Sequence, residues 1–129
     1  MHSGLKRITY VEDEPDIRTV AEMALRSLGG FELDVCTRGD DALARLPEYL
    51  PDLVLLDVMM PGIDGLTVFR RMRHDDRIRD IPVIFMTAKA QKQEVQEYLD
   101  AGASGVITKP FDPMTLCDTV TAIWAQAQG

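Results

Sequence analysis

Two rhythms of apolar and polar positions take turns along this chain. Short apolar runs predict strands at 5–11 (LKRITYV), 52–57 (DLVLLD), 81–87 (IPVIFMT) and 104–108 (SGVIT). The run 31–36 (FELDVC) alternates instead, with Phe31, Leu33 and Val35 on one side, the pattern of an edge strand. Between the runs the apolar residues recur at helical spacing. Ile17, Val20, Ala21, Ala24, Leu25 and Leu28 share one face. Pro15 suits the start of that helix, where its missing N–H has no partner to lose, and Gly29-Gly30 stops it. A short helix is predicted at 40–46, ending before Pro47. Another covers 64–73 with Leu66, Phe69 and Met72 inward, and a third covers 91–101 with Val95, Tyr98 and Leu99 inward, stopped at Gly102. The last begins with Asp112 as cap and Pro113 at its first position, and carries the stripe Leu116, Val120, Ile123 and Trp124.

Strands that alternate with helices predict a parallel sheet covered on both faces. The fold class is therefore α/β, a single five-stranded parallel sheet with helices on both sides. The strands at 5–11, 52–57, 81–87 and 104–108 are short and apolar and read as central, in the flavodoxin-like order 2-1-3-4-5. A length of 129 residues fits one domain, and 46% hydrophobic content can build its core. The domain is expected over 5–126, with Met1–Gly4 a tag-derived or disordered extension and nothing after Trp124 long enough for a second unit.

A net charge of −7 argues against direct binding to nucleic acid, which needs a basic footprint. The two cysteines, Cys36 and Cys117, have no zinc or CxxC spacing and read as small apolar residues in a reducing compartment. With no membrane-length apolar run and no signal core in MHSGLKR, the expectation is a cytoplasmic protein without a membrane partner.

In open α/β sheets, ligands bind beyond the carboxyl ends of the strands. The first strand here ends in Glu12-Asp13, the third in Asp57, the fourth in Thr87 and the fifth in Lys109. Clustered carboxylates repel one another unless a cation joins them. Mg²⁺ accepts a few carboxylates and completes its shell with water and phosphate oxygens. Lysine adds a point charge for phosphate and threonine a hydroxyl donor. This set suits phosphoryl transfer, in which a carboxylate can itself be the covalent acceptor.

YVEDEPDIR, LVLLDVMMPGIDG, IPVIFMTA and GASGVITKPF, in that order, resemble the receiver domains of two-component response regulators, CheY-like in size. The resemblance covers about 5–126. It implies that Asp57 takes a phosphoryl group from a phosphohistidine of a sensor histidine kinase or histidine phosphotransfer protein, or from a small acyl phosphate. It implies Asp13 and Asp57 as direct Mg²⁺ ligands, with the backbone carbonyl of Met59, and Glu12 acting through a water. Lys109 should pair with Asp57 at rest and with the phosphoryl group afterwards, and Thr87 should swing toward the phosphoryl oxygens. The Lys109-Pro110 bond is typically cis in the family. Output should leave by contact with a downstream protein through the 91–126 face, which also serves homodimers in the family.

The chain departs from the family at Val106, where a large aromatic or histidine is usual, so the coupling of Thr87 to an aromatic on the fifth strand is not expected. Met59 and Lys89 hold positions that tune dephosphorylation, and Met59 points to a long-lived phosphoryl group. Three other functions fit less well. A haloacid-dehalogenase-type phosphatase needs a second aspartate where Met59 stands. A flavodoxin-like cofactor binder would not place the acidic EDEPD in its first loop. A degenerate receiver acting without phosphorylation is disfavoured by the intact acids, Thr87 and Lys109. A receiver domain excised from a hybrid histidine kinase or a multidomain regulator is an alternative the sequence leaves open.

Overall fold

The computed structural model describes residues 4–88 and 91–128. Five strands, β1 (Arg7–Val11), β2 (Glu32–Cys36), β3 (Leu53–Asp57), β4 (Val83–Thr87) and β5 (Gly105–Thr108), alternate with α1 (Pro15–Met23), α2 (Gly39–Tyr49), α3 (Gly65–Arg73), α4 (Lys92–Asp100) and α5 (Leu116–Gln128). All strand pairs are parallel, in the order β2-β1-β3-β4-β5. β5 stands at an edge and not, as its apolar run predicts, among the central strands: with β4 on one side only, it leaves Val106 half-buried and Thr108 exposed. β2 forms the other edge. β3 and β4, apolar except for their last residues Asp57 and Thr87, are buried at every position, as strands covered on both faces must be.

Strand alternation divides the core in two. Ile8, Tyr10, Leu53, Leu55, Ile84, Met86 and Ile107 pack beneath α1 and α5. Val11, Val54, Leu56, Val83 and Phe85 pack beneath α2, α3 and α4. Trp124 closes the lower end of the first layer, and its indole N–H donates to the Asp52 carbonyl at 3.2 Å. Gly4 lies beside that indole, while Met1–Ser3 fall outside the described residues.

Five predicted helix details change. The helix after Pro15 winds as a π-helix over Ala24–Leu28, and Leu28 is exposed. The wider turn carries it off the stripe that 3.6-residue spacing draws. Val20 is also exposed, at the mouth of a cavity described below. α2 runs through Pro47 to Tyr49, because a proline in the last turn forfeits only one backbone bond, and Leu50 ends the helix in a left-handed conformation (φ 50°). On α4 only Tyr98 is buried and Leu99 is exposed, since the helix covers the margin of the sheet with a narrow stripe. Asp112 caps a turn over Pro113–Thr115, and α5 itself begins at Leu116, whose N–H donates to the Asp112 carbonyl at 3.0 Å. Among the described residues no helix is long and apolar enough to cross a membrane.

Candidate functional site

Backbone bonds that run one residue past the strands hold the polar side chains together. The Glu12 N–H donates to the Cys36 carbonyl at 3.0 Å, Val58 N–H to Met86 at 3.1 Å, and Lys109 N–H to Thr87 at 2.8 Å. The parallel register thus brings Glu12, Asp13, Asp57, Thr87 and Lys109 to one edge of the sheet. Beyond Asp57 the chain turns at Gly62 (φ 80°) and returns at Gly65. A Cβ on Gly65 would sit 2.3 Å from the Asp57 carbonyl oxygen, so only glycine lets α3 start this close to β3. Asp64 caps α3 by accepting from the Thr67 N–H at 2.8 Å. The Lys109-Pro110 peptide is cis.

Lys109 Nζ lies 3.0 Å from Asp57 Oδ1, and 3.2 and 3.4 Å from the two oxygens of Glu12. Glu12 is 0% and Asp57 2% exposed, so one ammonium serves two carboxylates shut away from water. Glu12 also accepts from the Tyr10 hydroxyl at 3.5 Å and the Glu14 N–H at 3.3 Å. Burial pushes the Asp57 carboxyl up to about 6, Glu12 adds to the rise, and Lys109 opposes it. Burial pulls the Lys109 ammonium down, but its hydrogen bond to Asp57 and the charges of Glu12 and Asp57 outweigh this and raise it. Tyr10 is pushed up by burial and by the same two acids, which keeps its phenol a neutral donor.

Glu12, Asp13 and Asp57 each offer a carboxylate oxygen within 4.8 Å of the others. Three hard oxygen donors beside an open space fit a small divalent cation such as Mg²⁺. That space is a cavity of about 680 Å³ lined by Asp13, Asp57, Met59, Lys109 and, on its apolar side, Ile17 and Phe111. The Met59 N–H donates to Asp57 Oδ1 at 3.4 Å, while its side chain is exposed at the rim. Lys89 falls outside the described residues.

Thr87 is buried at the end of β4. Burial and acidic neighbours raise the Tyr98 phenol on α4, and the nearby Thr87 hydroxyl opposes the rise. Two residues near the acids escaped the sequence reading. Tyr10 hides in an apolar strand, where only the rule that a buried phenol finds a polar partner could have flagged it. Arg18 braces the acidic loop by donating to the carbonyls of Glu12 and Asp13 at 3.1 and 3.3 Å. Nothing in its spacing separates it from a solvated helix arginine.

Comparison with known proteins agrees with this fold. Residues 8–121 match the family described as response regulator receiver domain. The phosphate regulon transcriptional regulatory protein PhoB of Rhizobium meliloti (strain 1021) is 37% identical over 96% of this chain and 54% of its own length. The DNA-binding dual master transcriptional regulator RpaA of Synechocystis is 35% identical over 92% of this chain and 49% of its own. The chain thus spans about half the length of these curated relatives. The solved structure of the Vibrio cholerae chemotaxis protein CheY4 superposes with a TM-score of 0.84, at 27% identity, over 93% of this chain and 99% of that one.

Proposed function

Since the chain belongs to the response regulator receiver domain family of two-component systems, we propose that it is a phosphorylation switch whose acceptor is Asp57. The observation that carries this reading is the 3.0 Å contact of Lys109 Nζ with Asp57 Oδ1, beside three carboxylates whose oxygens lie within 4.8 Å of one another. The domain spans 5–126 in this reading, and the phosphodonor is a phosphohistidine of a sensor histidine kinase or histidine phosphotransfer protein.

An Asp57 oxygen attacks phosphorus, and a P–O bond forms as the P–N bond to the donor imidazole breaks. The imidazole keeps the electron pair and is protonated as it leaves. Lys109 loses its hold on Asp57 Oδ1 and turns to the phosphoryl oxygens, so its charge stays paired throughout. Thr87 donates its hydroxyl to a further phosphoryl oxygen. Asp13, Asp57 and the Met59 carbonyl would hold Mg²⁺ directly and Glu12 through a water. When bound, the ion supplies the positive charge that offsets the roughly −1.5 to −2 carried by a phosphoryl group. The apolar wall at Ile17 and Phe111 shields the acyl phosphate from bulk water, and Met59 crowds the path of an attacking water. The product is accordingly long-lived. Output leaves by protein contact through the 91–126 face, which also offers a homodimer surface.

Incubation with acetyl phosphate and Mg²⁺, followed by intact mass, tests the reading. One added phosphoryl group on the parent, absent from Asp57→Ala and prevented by EDTA, is expected. A folded, Mg²⁺-replete parent that gains nothing contradicts it.

A further inference from the structure

The cavity at the acceptor offers more than a phosphoryl group needs. Its floor is Asp57 and Lys109, joined at 3.0 Å. Its wall is Ile17 and Val20 of α1 with Pro110 and Phe111 after β5, and Met59 stands at the rim. A hydrated cation and a phosphoryl group present only polar surface, and an apolar wall gives them no partner. The wall is also held in place. Phe111 packs on the core layer beneath α1 and α5, and Ile17 is half-buried. Val20 lies on the apolar stripe of α1 and is still 42% exposed, because it faces this cavity instead of the sheet. The volume, about 680 Å³, falls within the range of roughly 300–1,000 Å³ usual for small-molecule sites.

Asp57 is 2% exposed, and a donor reaches it through this cavity. In phosphoryl transfer the leaving oxygen stands roughly in line with the attacking one, on the far side of phosphorus. The far side here is the apolar wall. We propose that this wall is a leaving-group subsite that selects, among small acyl phosphates, those with a short uncharged apolar chain, propionyl or butyryl rather than acetyl. The proposal rests on Asp57 being the phosphoacceptor. An Asp57 oxygen attacks phosphorus, and the bond from phosphorus to the acyl oxygen breaks. The acyl oxygen keeps the electron pair and departs as a carboxylate, so no proton has to move. The chain carbons lie against Ile17, Val20 and Phe111, where each methylene withdrawn from water strengthens binding. Asp13, Glu14 and Asp16 edge the same cavity and repel a chain that ends in a carboxylate. Acetyl phosphate has only a methyl group to offer and uses the least of the wall.

Acetyl, propionyl and butyryl phosphate release acids of nearly equal strength, so their intrinsic reactivities are close and a difference in rate reports the wall. Each is supplied with Mg²⁺ at one concentration below saturation, and phosphoryl uptake is followed by intact mass. The rate is expected to rise about two- to fourfold per methylene, the gain that partial to full burial of a CH₂ gives. Val20→Ser, at an exposed helix position, is expected to cut the butyryl-to-acetyl ratio by about half or more. Val20→Leu keeps the wall apolar and is expected to hold the ratio. The ratio is taken within one protein, so a loss of fold or of Mg²⁺ affinity common to all donors does not mimic the effect. Parent rates that are equal, or that fall with chain length, overturn the proposal. So does a ratio that Val20→Ser leaves intact, or one that Val20→Leu abolishes. A parent that takes up a phosphoryl group from none of the three fails the reading of Asp57 and carries this proposal down with it, whereas uptake from all three alike removes this proposal alone.

Discussion

One ammonium between two buried carboxylates leaves the site short of positive charge before any ligand arrives. Asp57 bears the deficit: burial first, then Glu12, push its carboxyl up to about 6. An unfolded aspartate titrates near 3.9. The native state therefore holds the extra proton between about pH 4 and 6, and this group's effect on stability becomes less favourable as pH rises through that window. In EDTA, Asp57→Asn is expected to be more stable than the parent by about 1–3 kcal/mol at pH 7.5. The advantage should vanish by about pH 4, as followed by urea unfolding at a series of pH values. Parallel stability–pH profiles for the two proteins would contradict this charge balance. The acids, Thr87 and Lys109 were legible in the sequence because each ends or closely follows a strand, and strand ends share an edge. Tyr98 was legible only as a core position. Helical periodicity says which way a side chain points, but it cannot say that its ring packs against Phe85 on a neighbouring strand.

At the scale of elements, close approach decides more than propensity. Gly65 starts α3 against the backbone of Asp57 and Val58, where an added Cβ would lie 2.3 Å from a carbonyl oxygen and 2.9 Å from a Cα. Backbone cannot step aside as a flexible side chain can. Gly65→Ala is expected to cost about 1–3 kcal/mol or more and to slow phosphorylation by shifting Asp57, measured by urea unfolding and by acetyl phosphate uptake. Unchanged stability and rate would mean that α3 is free to retreat. The strands were readable from their apolar runs and, for β2, from alternation, but the apolar run of β5 suggested a central place where the strand stands at an edge. The helix details were not, for separate physical reasons. A π-wound turn moved Leu28 off its stripe, Pro47 sat late enough in α2 to be tolerated, and α4 met too little sheet to bury Leu99.

Across the whole molecule, two apolar layers grip the sheet and leave its carboxyl edge open, so the acids are positioned by the entire fold. A cation bound there stabilises the native state by mass action, by roughly 1.4 kcal/mol at ten times its Kd. Mg²⁺ at constant ionic strength is expected to raise Tm by a few degrees, and Asp13→Asn to blunt the rise. An equal rise in both proteins would instead indicate general screening of the −7 net charge. The central claim is that Asp57 itself becomes an acyl phosphate, and its chemistry offers a direct test. Borohydride reduces an aspartyl phosphate to homoserine and leaves a free carboxylate untouched. The protein would be treated with acetyl phosphate and Mg²⁺, reduced, digested and sequenced by mass spectrometry. The account predicts homoserine at position 57 and nowhere else, and only when Mg²⁺ is present. Homoserine at Asp13 or another acid, or an intact Asp57 in protein that carries the phosphoryl mass, would contradict it.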